Sequence, residues 1–169
     1  MASVLVKIKS RFDNKELKKI LKEFPSVKMR VGWAKTQKEH NGMRTAEVAY
    51  LNEVGHNIVH NGAVVGHVVA RPLLGLTCEE NAQYWAQNWR ILFRKYLAGD
   101  YDSLATIAQK FCQIVIQDIR RMVEEEQPFA PNAPSTQKRK KALGHSFDIP
   151  LLDYGTMIDT LTQEIHIAR

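Results

Sequence analysis

Two long stretches with helical periodicity, separated by only a few residues, constrain the fold of this chain most strongly. Within residues 72–98, apolar side chains recur at intervals of three and four: Leu73, Leu76, Trp85, Trp89, Leu92, Phe93, Tyr96 and Leu97. Within residues 102–126, a second stripe consists of Leu104, Ile107, Ala108, Phe111, Ile114, Val115, Ile119, Met122 and Val123. This spacing predicts two amphipathic helices. The short loop between them predicts that they pack as an antiparallel hairpin.

Alternating segments at both ends of the chain predict strands. Residues 3–9 and 27–33 place apolar side chains at every second position, and so does the C-terminal stretch with Ile165 and Ile167. Shorter helices are predicted at 13–24, at 45–55 and around 156–162. We therefore expect an α+β fold, in which a small mixed or antiparallel sheet accompanies the two long antiparallel helices. The prediction is one domain over residues 1–169.

A β-hairpin is the third structural prediction. Asn61-Gly62 lies between two runs of β-branched residues, which is typical of a two-residue type I′ turn. The expected strands lie near 57–60 and 63–70, and Gly66 indicates a bulge. In the helix predicted just before the hairpin, Thr45 would lie near the cap, and Gly55 would end the helix. Val48, Leu51 and Tyr50 would form the buried side of that helix.

Composition excludes several classes of protein. The chain has 169 residues and a net charge of +6, and no apolar run approaches the roughly 20 residues of a membrane helix. The N-terminal residues alternate and do not form the apolar core of a signal peptide. Cys78 and Cys112 form no CxxC pair, and we expect both to be reduced and buried. The excess positive charge favours an acidic partner, such as a nucleic acid, a membrane surface or an acidic protein.

Few residues indicate catalysis. The chain has no glycine-rich phosphate loop and no HExxH motif, and we expect neither an enzyme nor a cofactor. His56, His60 and His67 crowd the hairpin, where they would form either a metal site or polar surface. Glu124, Glu125 and Glu126 are interpreted as a solvated or intersubunit acidic patch. Trp85 and Trp89 lie one helical turn apart and would either stack on bases or pack in the core.

A proline-rich and basic segment follows the second long helix, within a predicted loop over 128–150. It contains APNAPSTQKRKK from Ala130 to Lys141. Its prolines limit the entropy of the unfolded loop, and Ser135 or Thr136 would cap a short helix. The four basic residues, Lys138, Arg139, Lys140 and Lys141, would contact phosphates or face solvent.

Four motifs occur in a fixed order. AEVAYLNEVG covers 46–55, ARPLL covers 70–74, APNAPSTQKRK covers 130–140, and PLLDYGTMIDTL covers 150–161. Together they resemble the small neck and tail-completion proteins of long-tailed bacteriophages, which include minor tail protein Z and related tail components. The matching positions are Tyr50, Leu51, Asn52, Glu53, Gly55, Arg71, Pro72, Pro131, Asn132, Pro134, Thr136, Lys140, Pro150, Leu151, Asp153 and Gly155.

The resemblance implies a structural role for these residues. The sequence departs from the pattern of that family in two places. Tyr154 stands where the family often has threonine. The segment between Gly55 and Arg71 is longer than the usual link, so the 57–70 hairpin is an insertion. An exposed hairpin offers strand edges to a neighbour. We therefore expect it to act as an arm that contacts an adjacent subunit or ring through Ile58, Val59, Val64, Val65 and Val68.

The resemblance further implies a location and a set of partners. The expected protein is a virion component at the head–tail junction, present in the host cytoplasm before assembly. It would form a ring, most simply a hexamer, against head-closure, tail-terminator or tail-tube proteins. The channel would pass DNA, with contact through phosphates alone, and no contact with a membrane is expected. The alternative is a basic nucleic-acid-binding protein that acts as a monomer or dimer.

Overall fold

The chain folds as an α+β protein. The computed structural model describes residues 25–145 and 148–168, so the strand predicted at 3–9 and the helix predicted at 13–24 lie outside the described residues. Within the described ranges there are two small antiparallel sheets and five α-helices. None of the helices there is both long and apolar enough to cross a membrane.

The elements follow one another in the predicted order. The strands are β1 (Ser26–Gly32), β2 (His56–His60), β3 (Ala63–Val68) and β4 (Thr162–Ala168). The helices are α1 (Thr45–Val54), α2 (Leu73–Leu97), α3 (Leu104–Arg121), α4 (Pro134–Ala142) and α5 (Thr156–Asp159). A π-helical turn, Met122–Glu126, continues α3 and ends at Gln127, whose φ is 45°.

The long helical hairpin is confirmed. Ser103 caps α3, because its side chain accepts a hydrogen bond from the Thr106 backbone N–H at 3.1 Å. A buried hydrogen bond of 2.7 Å from Trp85 Nε1 to Asp118 Oδ2 joins the two helices. Arg121 donates to Asn81 Oδ1 at 3.2 Å near the start of α2. Trp85 and Trp89 are therefore core residues, and the base-stacking alternative is wrong for both.

The strands β1 and β4 pair antiparallel, with Val27 opposite Ile167 and Met29 opposite Ile165. One face of this sheet packs on α3, and its apolar residues join a cluster built on Trp89, Leu104, Ile107 and Ala108. A second cluster lies nearer the end of α3 and consists of Ala49, Leu73, Ile119, Met122, Val123, Phe129, Met157, Ile158 and Leu161. This second cluster brings α1, α2, α3 and α5 together.

Several local predictions need correction. Tyr50 is 65% exposed, and the buried residues of α1 are Thr45 and Ala49. Thr45 lies near the cap of α1 as predicted, because it is the first residue of the helix and directly follows the cap position, Arg44. The helix α5 ends at Asp159 and is shorter than predicted. Cys112 is buried, and burial raises the pKa of its thiol to about 11, whereas Cys78 is only half-buried.

Candidate assembly surface

The projecting hairpin formed by β2 and β3 has the geometry that its sequence predicts. His60 pairs with Ala63 across the turn. Asn61 has a φ of 50° and Gly62 a φ of 79°, and two positive φ values define the type I′ turn that matches the twist of a hairpin. The register shifts between Ile58 and Val59, which leaves Val65 without a partner beside Gly66. The bulge that Gly66 indicated is therefore present next to it.

The hairpin exposes apolar side chains on both faces. Ile58 is 47% exposed, Val59 59%, Val64 63% and Val65 62%, while Val68 at the base is half-buried. Since neighbouring residues of a strand point to opposite faces, Ile58 and Val59 expose both sides of β2. An isolated two-stranded hairpin is marginally stable in water. The arm therefore presents apolar surface that the described residues leave uncovered.

The base of the hairpin is held tightly to the body. Gly55 ends α1 with a φ of 70°, and a Cβ there would lie 2.7 Å from the Val68 carbonyl oxygen. Only glycine fits this close approach. The Arg71 backbone N–H donates to the Asn52 carbonyl at 2.7 Å just after β3. The two ends of the arm are thus fixed between α1 and α2.

Glu53 performs a role that sequence reasoning missed. Its carboxylate accepts hydrogen bonds from the backbone N–H groups of Leu74 at 2.9 Å and Gly75 at 2.8 Å, in the first turn of α2. Pro72 precedes this helix and has no side-chain donor or acceptor with which to cap it. A carboxylate from α1 therefore satisfies the free donors of α2. No local signal predicts this, because Glu53 lies 21 residues before Leu74.

Arg71 is the first of several buried polar residues that the sequence motifs share. It is 7% exposed. Its Nε donates to the Ala130 carbonyl at 3.0 Å, and its Nη2 donates to the Pro131 carbonyl at 3.1 Å. Burial lowers the pKa of the guanidinium group, which nevertheless stays charged. Arg71 thus fastens the proline-rich segment to the entrance of α2.

Asn132 and Lys140 continue this arrangement from the other side. Asn132 is buried, and its amide donates to the Ile149 carbonyl at 3.3 Å. Lys140 is only 3% exposed. Its Nζ donates to the carbonyls of Ile149 at 2.9 Å and Leu152 at 2.5 Å. We call Arg71, Asn132, Lys140 and Asp153 the polar junction, because together they hold residues 130–131 and 149–153.

Asp153 completes the polar junction at its surface. Its carboxylate accepts hydrogen bonds from Arg139 Nη2 at 2.7 Å and from His145 Nδ1 at 2.9 Å. Burial alone would raise the pKa of Asp153, but the hydrogen bonds from His145 and Arg139 outweigh it, and the pKa is lowered. Tyr154 lies between two histidine rings, with centroid distances of 3.8 Å to His40 and 4.4 Å to His145.

The basic cluster of residues 138–141 does not form one charged surface. Lys140 is buried, so the prediction that it faces DNA or a partner is wrong, and Arg139 is bound to Asp153. Lys138 and Lys141 are exposed. A helix turns by about 100° per residue, so four consecutive residues cannot share one face. Burial also lowers the pKa of Lys140, but its two carbonyl acceptors favour the ammonium form.

The remaining motif residues lie at the starts of the helices α4 and α5. The helix α4 begins at Pro134, which occupies the first turn, and Ala133 precedes it without a side-chain cap. The prediction that Ser135 or Thr136 caps this helix is therefore wrong, and Thr136 is half-buried within it. Gly155, with a φ of 81°, precedes α5 in the left-handed region. A Cβ at Gly155 would lie 2.9 Å from Asp159 Oδ2.

The hairpin histidines do not assemble into a metal site. His67 Nδ1 lies 3.0 Å from Asn57 Oδ1, and His56 Nδ1 lies 3.4 Å from the Leu51 carbonyl oxygen. In residues 25–145 and 148–168, no group of three or more His, Cys, Asp or Glu side chains could hold a metal ion. The metal-site alternative therefore has no support from the described part of the chain.

Comparisons with known proteins add no relative. The chain matches no protein-family model, no curated protein and no solved structure. Any functional conclusion therefore rests on the sequence motifs and on the geometry above.

Proposed function

We propose that this protein is a structural component of a tailed-phage virion, which forms a ring at the head–tail junction. The ring would complete the tail or join it to the head, and would leave a channel for DNA. Most simply it is a hexamer that contacts head-closure, tail-terminator or tail-tube proteins. In this proposal the protein acts by binding, without catalysis. It lies in the virion after assembly and in the host cytoplasm before it.

One observation carries this proposal: the arm over residues 56–68 exposes Ile58, Val59, Val64 and Val65 on both faces. Exposed apolar surface of this kind marks an interaction site, and open strand edges favour pairing with another chain. The fixed base of the arm, between Gly55 and Arg71, would hold it in one direction. A preorganised arm loses little entropy on binding.

The sequence motifs support the same proposal in a second way. Residues from all four motifs, which are separated along the chain, contact one another in or beside the polar junction. Asn52 binds Arg71, Arg71 binds Pro131, and Lys140 binds Leu152. The residues that carry the phage resemblance therefore act as one structural unit. In that unit they order the loops around the arm.

The mass of the protein in solution tests the ring. Multi-angle light scattering should give a multiple of 19.3 kDa, and shortening the arm should reduce it. A shortened arm without residues 58–60 and 63–66 keeps the Asn61-Gly62 turn and the closing pairs Asn57–His67 and His56–Val68. The proposal fails if wild-type protein stays monomeric when purified head-closure, tail-terminator or tail-tube protein is added. It also fails if the variant with the shortened arm still forms the ring.

A matched pair of point variants tests whether a charge on the arm has a different effect from a charge elsewhere on the surface. Val65→Lys and Leu97→Lys introduce the same charge at side chains that are both 62% exposed, one on the arm and one at the end of α2. Val65→Lys should reduce ring formation, and Leu97→Lys should leave it unchanged. Equal effects of the two variants would mean that the arm has no special role.

The nucleic-acid-binding alternative leads to a different result. A monomer or dimer that binds duplex DNA without assembly, with affinity falling steeply as salt rises, would favour it. The observations that motivated this alternative are weaker than the sequence indicated. Trp85 and Trp89 are buried, and Lys140 is occupied by backbone carbonyls. Lys138 and Lys141 are the exposed lysines of the basic turn.

A further inference from the structure

The outer face of α2 carries a stripe of residues that the helical hairpin does not use. Glu80, Tyr84, Gln87, Ile91 and Arg94 follow one another at intervals of four and three, so they line one side of the helix. Trp85 and Trp89 lie on the opposite side and are buried. Tyr84 is 49% exposed and Ile91 is 52% exposed. We call these five residues the α2 stripe.

The helix dipole accounts for only one of the two charges at the ends of the α2 stripe. Arg94 lies in the last turn of α2, where a positive charge complements the helix dipole. Glu80 lies beyond the first turn, where that effect has faded. No hydrogen bond or ion pair within the described residues engages either side chain. Tyr84 and Ile91, which lie between them, each leave about half of the side chain exposed.

The α2 stripe is complementary to a second copy of itself that runs in the opposite direction. An acidic residue, an apolar residue, a polar centre, an apolar residue and a basic residue follow each other along the α2 stripe. Glu80 and Arg94 lie equally far from Gln87, and about 21 Å separates them at 1.5 Å per residue. An antiparallel copy of the helix, rotated about an axis through Gln87, therefore presents the opposite charge at each end.

We propose that the α2 stripe pairs with the same stripe of a second copy of this chain, antiparallel and about a twofold axis at Gln87. Glu80 then faces the partner's Arg94, and Tyr84 packs near the partner's Ile91. Such an isologous contact uses each favourable pair twice. The contact does not require the arm, and it goes beyond the proposed ring. In the unassembled protein it would give a dimer, or would join two rings face to face before either ring meets its head and tail neighbours.

Charge exchange tests the contact more sharply than salt does. Two copies of a chain with net charge +6 repel each other, so added salt screens both the general repulsion and the local attraction. Glu80→Arg alone and Arg94→Glu alone should each weaken pairing on the order of tenfold, because like charges then face each other. The double variant Glu80→Arg/Arg94→Glu should restore pairing.

Sedimentation of the full chain at several concentrations gives these affinities directly. In wild-type protein, pairing should double the mass of the arm-dependent species, whether that species is a monomer or a ring. Shortening the arm should leave pairing intact, so the failure of the ring proposal and of this one are distinguishable. Failure of the double variant to pair, after both single variants have weakened pairing, overturns the proposal. Pairing that none of the three variants changes overturns it too.

Disulfide crosslinking gives an independent readout. Gln87→Cys places a thiol beside the twofold axis, and mild oxidation should link two chains covalently. Gln117→Cys is the matched control, because it makes the same substitution at an exposed position of α3, and it should give no more crosslinking than wild-type protein. Equal crosslinking of both variants, or none at Gln87→Cys, contradicts the proposed axis.

Discussion

The arm and the polar junction are two regions with opposite physical character. The arm exposes apolar side chains that have no cover within the described residues, whereas the junction buries Arg71, Asn132 and Lys140 with hydrogen-bonded partners. Burying a charge is costly unless its donors are satisfied. The junction has met that requirement inside one chain. The apolar side chains of the arm have no such partners within the described residues, so the first region stabilises the fold and the second contributes little to it.

The largest expected effect comes from breaking the junction at Lys140. Lys140→Met should lower the free energy of unfolding by about 2–3 kcal/mol, because the Leu152 carbonyl loses its Lys140 donor and the Ile149 carbonyl keeps only the Asn132 amide. Lys138→Met is the matched control on the exposed side of α4 and should change stability by at most about 0.5 kcal/mol. Urea unfolding measures both. Equal losses in the two variants would show that Lys140 is not an anchor.

A smaller loss is expected where α1 caps α2. Glu53→Ala should reduce the free energy of unfolding by about 1–2 kcal/mol, because the backbone N–H groups of Leu74 and Gly75 lose their acceptor. Glu47→Ala removes an exposed carboxylate of the same helix, whose ion pair with Arg44 spans 3.8 Å. It should cost about 0.5 kcal/mol or less. Urea unfolding should therefore rank the two variants clearly.

Asp153 should give the junction a dependence on pH. Its pKa is lower in the folded protein than its usual value, so its contribution is present above the unfolded pKa of about 4 and is lost as pH falls through the folded pKa. Asp153→Asn should cost about 0.5–1 kcal/mol at pH 7, as expected for a partly exposed charged group.

The difference between this variant and wild-type protein should shrink as pH falls below about 4. Glu39, whose pKa is raised by burial, is present in both proteins, so its own effect cancels in the comparison apart from its smaller repulsion with Asp153. Unfolding curves at a series of pH values test this. A stability difference that stays constant down to pH 3 would contradict the role assigned to the Asp153 carboxylate.

The smallest expected effect on folding is in the arm. The shortened arm without residues 58–60 and 63–66 should change the stability of the unassembled chain by about 0.5 kcal/mol or less, because these residues bury little surface. It should nevertheless have the largest effect on association. Thermal unfolding of the unassembled shortened variant measures this. A large loss of stability would show that the arm belongs to the core of the fold, and the contrast with the junction would disappear.

Local patterns predicted much of this architecture. The periodicity of residues 72–126 predicted α2 and α3 and their antiparallel packing, because an amphipathic stripe must be buried and the loop between the helices is short. Asn61-Gly62 predicted the turn of the arm, because few residue pairs adopt two positive φ values. Such signals involve neighbouring residues and need no knowledge of the rest of the chain.

The candidate interaction surface was only half predictable. The exposure of Ile58, Val59, Val64 and Val65 follows from a two-stranded hairpin that has no third strand or helix on its faces within the described residues. The prediction for the basic residues 138–141 was wrong at Lys140, because a run of four charged residues does not indicate that one of them is buried. Nothing nearby in the sequence indicates that Lys140 meets two carbonyl groups, which belong to residues 9 and 12 positions further along the chain.

The order of the elements, the helical hairpin and the turn of the arm follow from sequence patterns alone. The partners of the polar side chains depend on tertiary packing: Arg71 binds Pro131, Glu53 binds Leu74, and Lys140 binds Leu152. Each of these contacts joins a side chain to a backbone group on a distant segment. Backbone groups are the same in every residue, so an acceptor or donor of this kind leaves no mark on the sequence.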